Sequence, residues 1–330
     1  MTRQKRIVSG MRPTGPLHLG NLHGALKNWV EMQKQYECFF FIADWHALTS
    51  DYEDTSSISE YIRNMMIDWL SAGLSPEKST LFIQSHIKEH AELFLILSMI
   101  TPVPWLERNP TYKEQIAQLS NKDLSTLGFL GYPVLQAADI IMYKAEGVPV
   151  GVDQVPHVEI TREIARRFNN FYDKVFPEPK ALLTNTSKIL GLDRRKMSKS
   201  YKNAIYLSDS PDTVISSVAN MITDPQRARK TDAGNPDVCN VFEFHKLYSD
   251  SETVSSINKE CREAKIGCVE CKKIMAGNLI KALEPVTDKR KYYEERPELV
   301  DEIILDGCSR ARKVAQKTME EVRTAIKISK

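Results

Sequence analysis

The stretch Ile7-Val8-Ser9-Gly10-Met11-Arg12-Pro13-Thr14-Gly15-Pro16-Leu17-His18-Leu19-Gly20-Asn21 decides the fold. A short apolar run, Ile7 to Ser9, ends at Gly10. From Leu19 to Gln35 the apolar residues Leu22, Leu26, Trp29 and Val30 then recur at helical spacing. A strand, a glycine-containing turn and a helix therefore follow one another. Such a turn brings backbone N–H groups and the positive helix end towards an anion, such as a nucleotide phosphate. His18 can donate to a phosphate oxygen, and Gly20 leaves room for a flat base against the backbone. Standing alone, the motif reads equally well as a turn with a stray histidine.

Outward from this unit the same alternation continues. Cys38 to Ala43 is a continuous apolar run, as expected of a strand buried on both faces. The spacing predicts a helix from about Ile58 to Ala72, ended by Gly73, and a strand over Thr80 to Gln84. It further predicts a helix over Glu89 to Ile100, another over Val134 to Glu146, and a strand over Val148 to Val152. Strands alternating with crossover helices imply an α/β protein with a Rossmann-like, doubly wound parallel sheet. After about Tyr206 the strands stop. Ser210 with Pro211 makes a good helix start, and helical spacing then runs to the end, broken near Asp224 to Pro236 and at Pro285 and Pro297. The expected organisation is a catalytic domain over 1–205 and an all-helical C-terminal domain over 206–330. No internal repeat or low-complexity tract is present.

Composition narrows the function classes. The 330 residues are 42% hydrophobic and 27% charged, as in ordinary globular proteins. The longest apolar stretches, Cys38 to Ala43 and Leu93 to Ile100, are too short to span a bilayer. The amino terminus shows no signal-peptide apolar region, so a cytoplasmic protein without membrane partners is expected. A net charge of +2 does not announce a nucleic-acid binder, although basic groups occur at Arg227, Arg229, Lys230, Lys265, Lys272, Lys273 and Lys289 to Lys291.

A second motif, Lys196-Met197-Ser198-Lys199-Ser200, closes the strand–helix region. Two lysines separated by small hydroxyl residues form a cationic loop able to follow charge developing on a departing pyrophosphate. Together the two motifs resemble the signatures of the class I aminoacyl-tRNA synthetases, a His-x-Gly-His element and a Lys-Met-Ser-Lys-Ser loop. The final histidine of the first element is Asn21 here, a replacement common in the tryptophanyl and tyrosyl branch.

Tyr132, Gln136 and Asp139 are spaced by four and three, so they share a helical face that reads as a pocket wall or as a polar outer face. In the tryptophanyl enzymes the similar segment lines the amino-acid pocket. By that resemblance Asp139 accepts the indole N–H, which would discriminate against Phe because an unpaired buried carboxylate is costly. Tyrosyl enzymes share this pattern but place a tyrosine in the first strand, where Ile7-Val8-Ser9-Gly10 offers none. Ala43-Asp44-Trp45-His46-Ala47-Leu48-Thr49 and Gly151-Val152-Asp153-Gln154 also resemble the tryptophanyl branch, and the likeness extends over nearly the whole chain.

The resemblance implies ATP-dependent activation of L-tryptophan followed by transfer to tRNA(Trp). Arg12, Pro13 and Thr14 would border ATP, Gly20 and Asn21 would lie under the adenosine, and Ile189 would touch the adenine. Gly151, Val152 and Asp153 follow a strand, where the Asp153 carboxylate can bind ribose hydroxyls. Gln154 and Tyr132 would contact the amino acid. Lys196, Met197, Ser198, Lys199 and Ser200 would face the phosphates. The tryptophan carboxylate attacks the α-phosphorus in line, with no covalent enzyme intermediate. His18, Asn21, Lys196, Lys199 and Mg²⁺ carried with ATP position the reactants and stabilise charge. A terminal ribose hydroxyl of tRNA, the 2′-hydroxyl by class I analogy, then attacks the adenylate. The family is homodimeric, and the resemblance places the interface at about Pro102 to Gly131 and the last helix back against the catalytic domain.

Cys239, Cys261, Cys268 and Cys271 follow the spacing Cys-x21-Cys-x6-Cys-x2-Cys, while Cys38 reads as a core residue and Cys308 has no evident partner. Four thiolates complete a tetrahedral shell, and a reducing cytosol disfavours disulfides. Counting does not separate zinc from iron–sulfur. One bacterial subgroup of tryptophanyl enzymes carries a 4Fe–4S cluster on a similar pattern with one more residue in the first gap. The shorter gap here falls in the surface-like segment Asp250 to Asn258, and the likeness implies 4Fe–4S, with Zn²⁺ as the alternative. Two other functions remain compatible: tyrosyl-tRNA synthesis, and a non-catalytic nucleotide-binding or redox-sensing protein centred on the cysteines.

Overall fold

Five short strands, β1 (Arg6–Met11), β2 (Glu37–Ile42), β3 (Ser79–Ile83), β4 (Gly147–Val150) and β5 (Lys180–Leu183), form one all-parallel sheet in the order β3-β2-β1-β4-β5. The computed structural model describes residues 4–110, 112–113, 123–183 and 189–328. The order reverses direction beside β1: the chain winds first towards β3, then returns to β4 on the other side. That is the switch point at which open α/β sheets bind ligands. β2 and β3 are buried on both faces because helices cover both, as the run Cys38 to Ala43 predicts for β2. Trp29 stacks on Phe40 with ring centroids 4.5 Å apart, and Trp69 meets Trp29 edge-on, filling the layer beneath β2.

The helix after the first motif is not uniform. It comprises α1 (Leu19–Asn21), a π-helical turn (Leu22–Leu26) and α2 (Lys27–Met32). A π turn swells the helix by one residue and is frequent at functional sites. Next come α3 (Asp44–Asp51), then α4 (Ile58–Ala72), which stops at Gly73 with φ 109°, a left-handed cap that favours glycine. After β3 follow α5 (Glu89–Ser98) and α6 (Val103–Glu107).

The helix α7 (Leu127–Met142) corrects the expected Val134 to Glu146. Thr126 caps it by accepting the Phe129 N–H at 3.1 Å, eight residues before the expected start, and Pro133 sits inside it. Its end comes early because Lys144 turns to φ 52°. The helix α8 (Val155–Phe171) and strand β5 had no counterpart among the sequence expectations; β5 is a half-exposed edge strand of four residues with little alternation to read.

Beyond Leu183 no strand occurs among the described residues. The helices are α9 (Pro211–Ala219), α10 (Asn240–Tyr248), α11 (Ser251–Arg262), α12 (Cys268–Glu294) and α13 (Pro297–Ala325). Ser210 caps α9 through its hydroxyl with Pro211 at the first position, as the sequence predicts. The expected break at Pro285 is absent: α12 runs through it, its packing on α4, α9 and α10 outweighing one lost hydrogen bond. The last helix, α13, lies on β3, the edge strand. Gly307 permits this, since a Cβ there would stand 1.7 Å from the Leu81 carbonyl oxygen. No described helix is long and apolar enough to cross a membrane. Of the interface expected at Pro102 to Gly131, residues 111 and 114–122 lie outside the described residues.

Candidate active site

At the C-terminal ends of β1 and β4 the sheet opens into a cavity of about 400 Å³. Its floor is Ser9, Gly10 and Met11 from β1, and one wall is Tyr132, Gln136 and Asp139 from α7. Arg12, Gly151 and Gln154 complete the rim. The i, i+4, i+7 face of α7 is thus turned inward, a pocket wall rather than a polar outer face. His18, Gly20, Asn21, Asp153 and the lysine loop do not line this cavity.

Asp139 is fully buried, yet its carboxylate is crowded with donors. His90 Nδ1 lies 2.6 Å from Oδ1, His46 Nε2 lies 2.8 Å from Oδ2, and Gln84 Nε2 reaches both oxygens at 2.8 Å. Burial alone would raise the carboxyl pKa, but the hydrogen bonds and charge of His46 and His90 outweigh it and hold the group below its ordinary value. His90 Nε2 also meets the Tyr143 hydroxyl at 2.7 Å. The role expected for Asp139 therefore needs one arm of the bifurcated Gln84 contact to yield. His46, His90 and Gln84 were not among the sequence candidates. His46 lies in the tryptophanyl-like segment Ala43 to Thr49, but nothing in spacing links residues 49 to 93 positions apart to one carboxylate.

Two buried polar atoms near this cavity have no partner among the described residues: the Tyr132 hydroxyl and Gln84 Oε1. His157, 2% exposed, packs edge-on against Tyr132 with ring centroids 5.4 Å apart, and burial pushes its pKa down to about 4. Arg12 donates from Nη1 to Ser50 Oγ at 3.1 Å, with its pKa lowered by burial.

The two ATP-type motifs meet beside the cavity. Lys199 Nζ donates to the Gly15 carbonyl oxygen at 3.0 Å and to Thr14 Oγ1 at 3.4 Å. Gly15 lies at φ 126°, where the chain bends under the lysine. The first motif also pairs with residues just past the loop: Leu19 N–H donates to the Ile205 carbonyl at 3.0 Å and Leu207 N–H to Leu17 at 2.9 Å. Burial and the nearby Arg12 charge pull Lys199 down to about 8, and burial with Lys199 and Lys196 pulls His18 to about 4. His18 is therefore neutral at pH 7, and its buried Nδ1 has no partner among the described residues. A Cβ on Gly20 would come within 2.8 Å of that Nδ1, so the space at Gly20 is taken by the His18 ring. Asn21 fastens the turn itself, Oδ1 accepting the His18 N–H at 3.0 Å. Ile189 is buried, and its carbonyl receives the Met197 N–H at 3.1 Å, placing it at the stem of the loop. Asn203, another unforeseen residue, ties the loop from inside: Oδ1 accepts the Ser198 N–H at 2.8 Å, and Nδ2 donates to the Lys196 carbonyl at 3.3 Å. Asp153 sits apart at the end of β4, in contact with Gln154 at 3.2 Å.

Cys239, Cys261, Cys268 and Cys271 form no disulfide. They lie near enough to feel one another's charge: burial first, and then the neighbouring thiols, raise Cys239, Cys261 and Cys271, the last to about 12. Arg227 Nη1 donates to Cys261 Sγ at 3.6 Å, and His245 Nε2 lies 3.5 Å from Cys271 Sγ. The donor chemistry suits a soft metal. Among the described residues no group of three or more His, Cys, Asp or Glu side chains stands close enough together to be recognised as a metal site. The gap segment Asp250 to Asn258 is largely at the surface, as expected, but it belongs to the helix α11 with Ile257 buried, so a one-residue difference there changes helical register rather than a loop. Cys308, which had no expected partner, is buried with Sγ 3.7 Å from His86 Nδ1.

A five-stranded parallel sheet with a cavity at its switch point, a neutral histidine turn and a lysine loop folded over that turn define a nucleotide-activating enzyme of the class I synthetase type. The chain belongs to the tRNA synthetases class I (W and Y), whose family model matches residues 1–284. It is 54% identical over 325 residues to the tryptophan–tRNA ligase of Thermotoga maritima, covering 98% of this chain and 99% of that protein. The tryptophan–tRNA ligase of Aquifex aeolicus is 48% identical, over 98% of this chain and 100% of that protein. The crystal structure of tryptophanyl-tRNA synthetase from Campylobacter jejuni, complexed with ADP and tryptophan, superposes with a TM-score of 0.90. It is 34% identical and covers 97% of this chain and 99% of that one.

Proposed function

We infer that this chain attaches tryptophan to tRNA, activating L-tryptophan with ATP and transferring it to tRNA(Trp). The observation that carries the reading is the meeting of Lys199 with Gly15 beside a cavity whose α7 wall ends in Asp139. The indole enters that cavity, and its N–H takes the place of one Gln84 arm on the Asp139 carboxylate. Tyr132, Gln136 and Gln154 hold the amino-acid end near Arg12. ATP lies between the His18 turn and the end of β4, with its ribose at Asp153 and its adenine beside Gly151, Val152 and Ile189. Arg12, Pro13, Thr14 and Gly20 border it, and Asn21 acts by holding the turn. The tryptophan carboxylate attacks the α-phosphorus. Neutral His18 donates a hydrogen bond to a phosphate oxygen, and Lys196 and Lys199, with the backbone from Met197 to Ser200, follow the departing pyrophosphate. Mg²⁺ enters with ATP and supplies charge neutralisation. ATP–pyrophosphate exchange run separately with tryptophan and tyrosine tests the reading. Exchange with tyrosine, or with neither, refutes it.

The four cysteines, on this reading, hold a 4Fe–4S cluster that ties α10, α11 and α12 together beside the basic side chains Arg227, Arg229, Lys230 and Lys273, which present the tRNA anticodon with a cationic face. What supports it is the all-thiol donor set and its Cys-x21-Cys-x6-Cys-x2-Cys spacing. Iron, sulfide and zinc analysis of anaerobically purified protein decides it, and stoichiometric zinc alone would sink the cluster. The same reading makes residues 1–205 the catalytic domain, 206–330 the tRNA-binding domain, the cytoplasm the compartment, and the active form a homodimer across about 102–131. Light scattering giving a monomer at micromolar concentration would refute the dimer.

A further inference from the structure

The lysine loop is held from outside as well as from within. Its stem is a narrow antiparallel turn: Leu190 bridges Lys196, Gly191 N–H donates to the Arg195 carbonyl at 2.7 Å, and Met197 N–H donates to Ile189 at 3.1 Å. Any shift of Gly191 is therefore passed to the lysine-bearing strand. The Gly191 carbonyl, in turn, receives Asn240 Nδ2 at 2.7 Å, with Leu192 a longer second acceptor at 3.4 Å. Asn240 comes from the first residue of α10, 49 positions away, and is wholly buried.

The chemistry of Asn240 is unusual for a mere packing residue. Its Oδ1 has no partner among the described residues, and an unmet buried acceptor costs stability that an apolar side chain of the same size would not. What the amide provides instead is a donor aimed at the loop stem. The helix that carries it is fixed at its far end by Tyr248, whose hydroxyl lies 2.7 Å from His23 Nε2 in the π turn after the first motif. One short helix thus reaches both the turn that follows the first motif and the stem of the lysine loop.

We propose that Asn240 is a positioning residue for the Lys196-to-Lys199 loop: by holding the Gly191 carbonyl, it sets the register from which Lys199 reaches Gly15. Activation of the amino acid then depends on a side chain supplied by the helical region. This rests on the reading of the loop as the pyrophosphate-side cation pair.

The test is a double-mutant cycle in the full-length protein between Asn240→Asp, which keeps the shape but removes the donor, and Lys199→Ala, read by tryptophan-dependent ATP–pyrophosphate exchange. N240D should lower kcat by about ten- to a hundred-fold, the cost of misplacing a reacting group, with KM for tryptophan unchanged. In the K199A background the same change should add nothing further. An unimpaired N240D beside a slow K199A, or effects that multiply, would overturn the role of Asn240 alone. A K199A enzyme at the wild-type rate would refute the loop reading itself and, with it, this proposal. Should N240D not fold, Asn240→Ser and limited trypsin digestion serve instead. Cleavage after Arg194 and Arg195 should quicken several-fold in the folded variant, and unchanged cleavage would overturn the proposal.

Discussion

Lys199 should give the enzyme an alkaline limit that an ordinary lysine would not. Its ammonium is partly buried against the first motif beside Arg12, and both effects disfavour the charged form, placing its pKa at about 8. With that value about nine-tenths of the side chain is cationic at pH 7 and about one-tenth at pH 9, whereas a free lysine near 10.4 stays almost wholly charged. If the cation is what meets the departing pyrophosphate, kcat/KM for ATP at saturating tryptophan should fall about tenfold between pH 7 and pH 9. Bound phosphates raise the pKa of the ammonium, so kcat at saturating ATP should fall later. Pyrophosphate exchange from pH 6.5 to 9.5 at fixed ionic strength gives both profiles. Lys199→Arg supplies the control, because a guanidinium does not titrate in this range and should flatten the alkaline limb at whatever rate it retains. A limb that persists unchanged in K199R, or a wild-type profile flat to pH 9.5, would refute the argument.

Asp139→Asn should lower stability by about 3–5 kcal/mol, since it strips the charge from a buried network that three donors share; equilibrium unfolding measures this, and tryptophan binding by fluorescence should be lost with it. A full-stability D139N would show the network to be dispensable. Stability should also fall on acidification. His18, His23 and His157 are held near 4 in the folded protein against an ordinary value of 6.5, so the native state resists protonation. The stabilisation is complete above about pH 6.5 and lost as pH falls towards 4, by up to about 1.4 kcal/mol per pH unit for the buried His157 and by less for the part-exposed, solvent-screened His23. Denaturant midpoints should track this, and His157→Asn should shallow the slope. Replacing Cys268 and Cys271 should slow tRNA charging more than adenylate formation, while Cys239→Ala, at the cap of the helix that carries Asn240, should slow both. Equal loss in both variants would point to a global folding role for all four cysteines.

How much of this was legible in the sequence depended on the distance over which a feature is decided. The strands β1 to β3, helix α4 and its Gly73 stop follow from local apolar runs and a single turn residue, and they appear where the pattern puts them. β5 did not, because a four-residue edge strand has no buried face to impose alternation. α7 began earlier than expected because the Thr126 cap starts it upstream of Pro133, and α12 ran through Pro285 because its tertiary packing outweighed the lost hydrogen bond. Within the site, the pairing of the two motifs was readable, as was the inward face of Tyr132, Gln136 and Asp139. The donors on Asp139, and the asparagines that hold the lysine loop, were not. Each is a buried polar residue whose partner is fixed by topology, and a lone His, Gln or Asn in sequence carries no mark of what it will face.

These long-range contacts bear on the division of the chain at residue 205. Three polar contacts cross it towards the first motif and the stem of the lysine loop, two of them buried. Asn240 holds Gly191, Tyr248 holds His23, and Arg290 pairs with Asp68, whose carboxylate also takes a hydrogen bond from the Leu17 backbone. The last helix crosses as well, resting on the edge strand β3 at Gly307. A fragment of residues 1–205 would bare that edge, an invitation to aggregation, and leave Asp68 buried without its cation. It should therefore purify poorly or aggregate, and any folded fraction should exchange pyrophosphate at least tenfold more slowly than the full chain. A monodisperse fragment with near-native exchange would show that the helical region serves tRNA alone, and that the motifs hold their geometry without it.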